Sequence, residues 1–275
     1  MAKNWISASD LHTQQAHGNT VVFDVQFDLS RPEMGRVFYT EGHIPGAYFL
    51  DLYGDLSGAP GLHGGRHPLP DWDAFIPKLE AAGVTPDTDI IIYDDIGGVS
   101  AARLWWMVKY LGIDRVKLLD GGLSGWVDMG FEMSKEVPAP KTGRVVPQFR
   151  PEWAVSIDEV REISRLGAPL IDSRHIDRFN GRHEPIDAVA GHIPGARHFF
   201  FQDNLQGHAF KPLDVLRKRF ADVDPGAVVY CGSGITAAHN AVVLDELDLE
   251  PRLYVGSWSD WISYPDNPIE TEVLS

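Results

Sequence analysis

The stretch Glu41-Gly-His-Ile-Pro-Gly-Ala47 returns 149 residues later as Ala190-Gly-His-Ile-Pro-Gly-Ala196. Other landmarks recur in the same order around these two stretches. Among them are Ser7–Asp10 with Ser156–Glu159, Ile90–Tyr93 with Ala227–Tyr230, and the Gly/Trp turns at 121–126 and 256–261. Landmarks that repeat in a fixed order, with only small changes of spacing, indicate two copies of one domain.

The length of 275 residues also fits two domains, at a prior of about 150 residues each. We expect an N-terminal domain at 1–136, a proline-rich linker at 137–150 and a C-terminal domain at 151–275. Short apolar strands alternate with helices in each copy, which predicts an α/β fold with a parallel sheet covered by helices on both faces. Helices are predicted around Trp72–Ala82, Ala101–Tyr110, Leu213–Phe220 and Ala237–Leu247.

The net charge of −15 makes nucleic acid and anionic membranes poor partners for this chain. Its single cysteine excludes an intramolecular disulfide framework and a multi-cysteine zinc site, and favours a reducing compartment. The N-terminal residues do not resemble a signal peptide, and no segment approaches the roughly 18 apolar residues that span a bilayer. We therefore expect a cytoplasmic protein without a membrane partner.

The two copies differ where the repeated apolar strand ends. The first copy continues as Tyr93-Asp94-Asp95-Ile96-Gly97-Gly98, and the second as Tyr230-Cys231-Gly232-Ser233-Gly234-Ile235-Thr236. Two glycines in four residues let backbone N–H groups converge on one point, and we expect Thr236 to cap the helix that follows. The pKa of a thiol in such a loop should lie below the value of about 8.5 for a free cysteine. The second copy is thus predicted to be reactive, and the first, with Asp94, inactive.

Other cysteine chemistries fit this loop less well. A cysteine phosphatase carries an arginine six residues after the cysteine, where this chain has Ala237. A cysteine hydrolase needs a base beside the sulfur, and the nearby His239 falls within the next helix with no defined pairing. The loop is better suited to a small anion carried on sulfur, such as a persulfide.

Over essentially its whole length the chain resembles the two-domain rhodanese family of sulfurtransferases, and within it the 3-mercaptopyruvate type. The resemblance is carried by the duplicated Gly-His-Ile-Pro-Gly-Ala element, by Cys231 in CGSGITA, and by Trp126 and Trp261 at the repeat ends. It implies that Cys231 accepts a sulfane sulfur and passes it to an acceptor such as cyanide, a small thiol or thioredoxin. It implies no metal and no organic cofactor.

The resemblance also implies roles for individual residues. Ser233 would assist catalysis, and Arg178 would bind the substrate carboxylate. His67 matches a histidine of the family's proton relay, with Asp51 as the candidate acid because Tyr53 stands at the matching position. The remaining loop residues, expected to contact substrate, are Gly232, Gly234, Ile235 and Thr236.

The match is incomplete at a second arginine that often follows a Glu-Pro pair in the mercaptopyruvate enzymes. Ile186 stands there, and Arg182 and Arg197 are candidates to replace it. Thiosulfate-preferring relatives commonly carry basic residues just after the cysteine, whereas this chain has Gly232 and Ser233. Two alternatives stay open: a thiosulfate:cyanide sulfurtransferase that uses the same cysteine, and a non-catalytic rhodanese-like binding module.

Overall fold

The computed structural model describes residues 2–16 and 18–271, which form two compact units. Unit 1 comprises Met1–Gly58, Leu69–Arg150 and Leu205–Phe210, and unit 2 comprises Ala59–Pro68, Pro151–Asn204 and Lys211–Ser275. Two short segments therefore fall outside the half of the chain in which the sequence analysis placed them.

Local contacts explain both assignments. In unit 2, the backbone N–H of Gly64 donates to Asp260 at 2.7 Å, which ties Ala59–Pro68 to the end of the second repeat. In unit 1, the ring of Phe210 stacks on Trp5 with centroids 4.2 Å apart, and its N–H donates to Asp120 at 2.8 Å.

The strands within the described residues are short. In chain order they are β1 (Trp5–Ile6), β2 (Thr20–Asp24), β3 (Tyr48–Phe49), β4 (Asp89–Tyr93), β5 (Val116–Leu119), β6 (Leu170–Asp172), β7 (Arg197–His198), β8 (Leu205–Gln206), β9 (Ala209–Phe210), β10 (Val228–Tyr230) and β11 (Arg252–Leu253).

Helices alternate with these strands. They are α1 (Ala8–Gln15), α2 (Met34–Glu41), α3 (Trp72–Ala81), α4 (Val99–Tyr110), α5 (Gly122–Asp128), α6 (Ile157–Leu166), α7 (Ile176–Phe179), α8 (Leu213–Arg219), α9 (Thr236–Glu246) and α10 (Ser257–Trp261). The predicted helices agree with α3, α4, α8 and α9 to within two residues, whereas α2, α7 and the β8–β9 hairpin were not predicted. None of the helices in the described part of the chain is long and apolar enough to cross a membrane.

Each unit is built on a parallel sheet. The order is β1-β5-β4-β2-β3 in unit 1, and unit 2 repeats the last four positions as β11-β10-β6-β7. In β4, Ile91 packs with α1 and α5, while its neighbours Ile90 and Ile92, which point to the opposite face, are also buried. Side chains of both faces are therefore covered, and the predicted α/β fold with parallel sheets is confirmed.

The repeated Gly-His-Ile-Pro-Gly-Ala element fixes a loop in each unit. Nδ1 of His43 lies 2.8 Å from the carbonyl oxygen of Tyr39, and the two rings stack at 3.9 Å. His192 makes the same contacts with Phe179, at 2.8 Å and 3.7 Å. Both histidines thus have a structural task, which explains their presence in both copies.

A tyrosine at the end of the central strand completes this arrangement. In unit 1 the hydroxyl of Tyr93 accepts the N–H of Ile44 at 3.1 Å and donates to Asp24 at 2.6 Å. The corresponding groups in unit 2 belong to Tyr230, Ile193 and Asp172. The strand end is thereby held in place immediately before the loop that carries Asp94 in one unit and Cys231 in the other.

Candidate active site

Cys231 lies in the loop between β10 and α9, at the carboxyl end of the sheet. It is 2% exposed, and its sulfur accepts the N–H of Gly234 at 3.2 Å. Gly234 has a φ of +76°, a backbone conformation that favours glycine, and the chain turns there into the residues that lead to α9. The loop therefore forms a small anion-binding concavity with the sulfur inside it.

The start of α10 holds this loop from the other side. Ser257 accepts the N–H of Cys231 at 3.1 Å, while the N–H of Trp258 donates to the carbonyl oxygen of Cys231 at 2.9 Å. Ser257 has a φ of +56°, and Gly122 at the equivalent position of unit 1 has +59°. A serine in this unfavourable conformation places a hydroxyl where the first copy has none. The sequence analysis missed Ser257, although comparing the two Gly/Trp turns could have revealed it.

The loop lowers the pKa of the Cys231 thiol. Burial raises this pKa, but hydrogen bonds from the Thr236 hydroxyl and from several backbone N–H groups outweigh burial, so the pKa lies below its ordinary value. The predicted direction is thus correct, while the predicted role of Thr236 as a helix cap is wrong. Ile235 occupies the capping position and Thr236 is the first helical residue, with its hydroxyl donating to the sulfur.

Thr236→Val is expected to raise the pKa of Cys231, because it removes a hydrogen bond that stabilises the charged thiolate by about 1.5–3 kcal/mol. The pH dependence of thiol alkylation, followed together with thiolate absorbance, measures this shift. Thr236→Ser keeps a hydroxyl and should leave the midpoint near that of the parent protein. An unchanged midpoint in Thr236→Val would show that the hydroxyl does not stabilise the thiolate.

The equivalent loop of unit 1 encloses the carboxyl group of Asp94, whose pKa is raised by burial. One carboxylate oxygen of the buried Asp94 accepts the N–H groups of Ile96 and Gly98, at 3.0 and 2.8 Å. The other accepts the Ser100 hydroxyl and the Ala101 N–H, both at 3.0 Å. The same strand–loop–helix architecture therefore surrounds a carboxyl group with hydrogen-bond donors in one unit, and surrounds a sulfur in the other.

Two guanidinium groups lie above the residue that follows the cysteine. A Cβ atom placed on Gly232 would be 3.0 Å from Nη2 of Arg66 and 3.2 Å from Nη2 of Arg178. Arg178 is a predicted site residue, but Arg66 was missed. The two suggested replacements for the second arginine have other contacts: Arg182 is near Asp177 at 4.0 Å, and Arg197 donates to the Asp222 carbonyl at 2.6 Å.

Two buried carboxylates hold these guanidinium groups. Nε of Arg178 donates to both oxygens of Glu184, at 2.9 and 2.8 Å, and its Nη2 donates to Asp187 at 2.8 Å. Nη1 of Arg66 donates to the other oxygen of Asp187. Asp187 therefore bridges the two arginines, and both carboxylate side chains are only 3% exposed.

The structure brings together two residues of the predicted relay. Nδ1 of His67 lies 2.8 Å from the Ser233 hydroxyl, and both side chains are buried. Asp51 belongs to unit 1, where one of its oxygens accepts the N–H groups of Tyr53 and Gly54 at 3.0 and 2.6 Å. These contacts close a turn, so Asp51 has a structural task in its own unit.

A metal centre is not apparent at this site. Among residues 2–16 and 18–271, no group of three or more His, Cys, Asp or Glu side chains is arranged to hold a metal ion. The polar groups that contact Cys231 and Gly232 directly are hydrogen-bond donors: backbone N–H groups, hydroxyls and guanidinium groups. They suit a negatively charged substrate beside a thiolate.

The duplicated fold and the cysteine loop define a tandem pair of rhodanese-like domains. The family model described as "Rhodanese-like domain" matches residues 7–129 and again residues 156–264. The chain therefore belongs to the rhodanese family, and the resemblance predicted from the sequence is confirmed.

Individual relatives share nearly the whole chain. A Pseudomonas aeruginosa protein named "Probable 3-mercaptopyruvate sulfurtransferase" is 42% identical, covering 97% of this chain and 97% of its own length. The thiosulfate sulfurtransferase of Azotobacter vinelandii is 30% identical over 90% of this chain and 94% of its own. The crystal structure of SseA from Escherichia coli, a 3-mercaptopyruvate sulfotransferase, superimposes with a TM-score of 0.82 at 29% identity, covering 94% of this chain and 100% of that one.

Proposed function

We propose that this protein is a sulfurtransferase that carries sulfur on Cys231 from 3-mercaptopyruvate to a thiol acceptor. The main support is the position of the Cys231 sulfur, which accepts the Gly234 N–H at 3.2 Å, next to Gly232 and its two neighbouring guanidinium groups. A thiolate and a carboxylate-binding group are thereby adjacent. The names of similar proteins from Pseudomonas aeruginosa and Escherichia coli support the same donor.

The proposed first step transfers sulfur to the protein. The thiolate of Cys231 attacks the sulfur of 3-mercaptopyruvate, an S–S bond forms, and the C–S bond breaks with its electron pair moving to carbon. The resulting enolate takes up the proton that the donor thiol brought in, which gives pyruvate and a Cys231 persulfide anion. No external oxidant or reductant is needed.

We propose that Ser233 and His67 handle the proton in this step. Their hydrogen bond of 2.8 Å gives the serine hydroxyl a partner that can give or take a proton. The N–H groups of the loop then stabilise the terminal sulfur, as the corresponding groups of unit 1 stabilise the Asp94 carboxylate. Transfer to an acceptor thiol returns Cys231 to the thiolate.

General chemistry supports our proposals for the acceptor and the compartment. A persulfide is attacked by small thiolates, by cyanide or by the thiolate of a protein such as thioredoxin, and we propose a thiol in the cell. One cysteine and a net charge of −15 fit a reducing, cytoplasmic setting.

Kinetics with two donors test the proposal. We expect kcat/KM to be higher for 3-mercaptopyruvate than for thiosulfate, and intact-mass measurement to show a gain of one sulfur atom after treatment with either donor. A higher kcat/KM for thiosulfate would instead favour the activity named for the Azotobacter vinelandii relative. Absence of an adduct with both donors would favour the non-catalytic binding module.

A further inference from the structure

Arg66 changes the electrostatics that the loop sequence suggests. Gly232 and Ser233 bring no positive charge to the sulfur, yet Nη2 of Arg66 lies 3.0 Å from the Cβ position of Gly232. A cation is therefore available where thiosulfate-preferring relatives commonly place a basic loop residue. Considered alone, Arg66 and Arg178 would suit a donor with two negative charges.

Asp187 offsets this positive charge. Its two oxygens accept from Arg66 and from Arg178, and its side chain is 3% exposed, so water screens it little. The third guanidinium group nearby, Arg174, is already paired with Asp172 at 2.6 Å and with Glu184 at 3.4 Å. Three arginines thus face three buried carboxylates, and these six side chains carry no net charge among them before any donor binds.

The chain fixes Asp187 in this position through a tight turn. One oxygen of Glu184 accepts the N–H groups of Ile186 and Asp187, at 3.0 and 3.1 Å. The same carboxylate holds Nε of Arg178 at 2.8 Å. Asp187 is therefore a fixed negative charge between Arg66 and Arg178, the two cations next to the proposed site of the sulfur donor.

We propose that Asp187 is a specificity-determining residue that disfavours a dianionic sulfur donor relative to a monoanionic one. This inference rests on the proposed function. Repulsion from a fixed carboxylate grows with the charge of the donor, so thiosulfate is penalised more than 3-mercaptopyruvate with its single carboxylate. With thiosulfate, the Cys231 thiolate attacks the outer sulfur and sulfite leaves with the electron pair of the broken S–S bond, so the two donors converge on one persulfide.

Asp187→Asn tests this charge selection because it keeps the shape of the side chain and removes its charge. We expect the ratio of kcat/KM for thiosulfate to kcat/KM for 3-mercaptopyruvate to rise about tenfold, equivalent to about 1.4 kcal/mol. Asp187→Glu retains the charge and should leave the ratio near that of the parent protein. Asp177→Asn makes the same change of charge on an exposed side chain of the same segment, and should also leave the ratio unchanged.

The outcomes separate the competing explanations. An equal fall in kcat/KM with both donors in Asp187→Asn would mean that Asp187 only holds the arginines in position, and it would overturn the proposal. An unchanged ratio of the two kcat/KM values would overturn it as well. If Asp177→Asn raised the ratio by the same factor, the effect would come from the net charge of the protein and not from Asp187, and the proposal would be overturned. Intact-mass measurement of the parent protein serves as the independent check: if neither donor adds sulfur, the proposed function itself fails, whatever the variants do.

Discussion

Cys231→Ser is expected to remove sulfur transfer with either donor, a loss of about 1,000-fold or more in kcat/KM. The serine hydroxyl is of similar size and can occupy the same loop, but it is not ionised near neutral pH and cannot form a persulfide. Cys231 is the only cysteine of the chain, so no other thiol can take over. Steady-state assays with both donors, together with intact-mass measurement, check this expectation.

The serine variant also serves as its own structural control. The serine oxygen should still accept the Gly234 N–H, so thermal unfolding should be close to that of the parent protein. A variant that unfolds normally and gains no sulfur separates chemistry from stability. A sulfur adduct that persists in Cys231→Ser would place the carrier on another atom and contradict the proposed mechanism.

The repeat explains how much of the architecture could be read from the sequence. Asp94 and Cys231 stand at the same point of two aligned loops, so one comparison locates both the strand end and the reactive loop. The β8–β9 hairpin has no counterpart in the first repeat, and its short strands carry little periodicity. The hairpin was therefore not predicted, and neither were α2 and α7, although each of these two helices precedes a copy of the repeated Gly-His-Ile-Pro-Gly-Ala element.

Arg66 shows why the rest of the site could not be predicted. It precedes Cys231 by 165 residues and comes from a segment of the first repeat that folds into unit 2. Only tertiary structure brings its guanidinium group to Gly232. The Arg66–Asp187 pair could not be predicted from the sequence either. Ile186 stands where an arginine was expected, and nothing in the sequence indicates that the next residue, Asp187, pairs with Arg66. The sequence could indicate that a cation was missing, but not from where it would be supplied.

The second large effect is expected at Arg178. Arg178→Ala should lower kcat/KM for 3-mercaptopyruvate about 100-fold, mainly through KM, because it removes one or two charge-assisted hydrogen bonds of about 1.5–3 kcal/mol each to the donor carboxylate. The persulfide step itself does not use Arg178, so kcat should fall much less. Initial rates over a range of donor concentrations separate the two parameters.

The stability of this variant has to be measured alongside its kinetics. Removal of Arg178 takes a partner from Glu184 and from Asp187, both 3% exposed, and breaking a buried ion pair typically costs about 3–5 kcal/mol. Arg178→Lys retains a positive charge but loses the planar fork, so its loss in kcat/KM should be intermediate. Assays should be run well below the melting temperature of each variant, so that loss of folded protein does not contribute to the difference in kcat/KM.

Arg182→Ala provides the matched control for this prediction. Arg182 belongs to the same segment, carries the same charge and is 43% exposed beside Asp177. Its removal should change kcat/KM less than about twofold, because exposed charges are largely screened. An equal loss in both variants would mean that general electrostatic attraction, and not a carboxylate contact, explains the effect. An unchanged KM in Arg178→Ala would remove this arginine from the donor site and leave Arg66 as the group that binds the carboxylate.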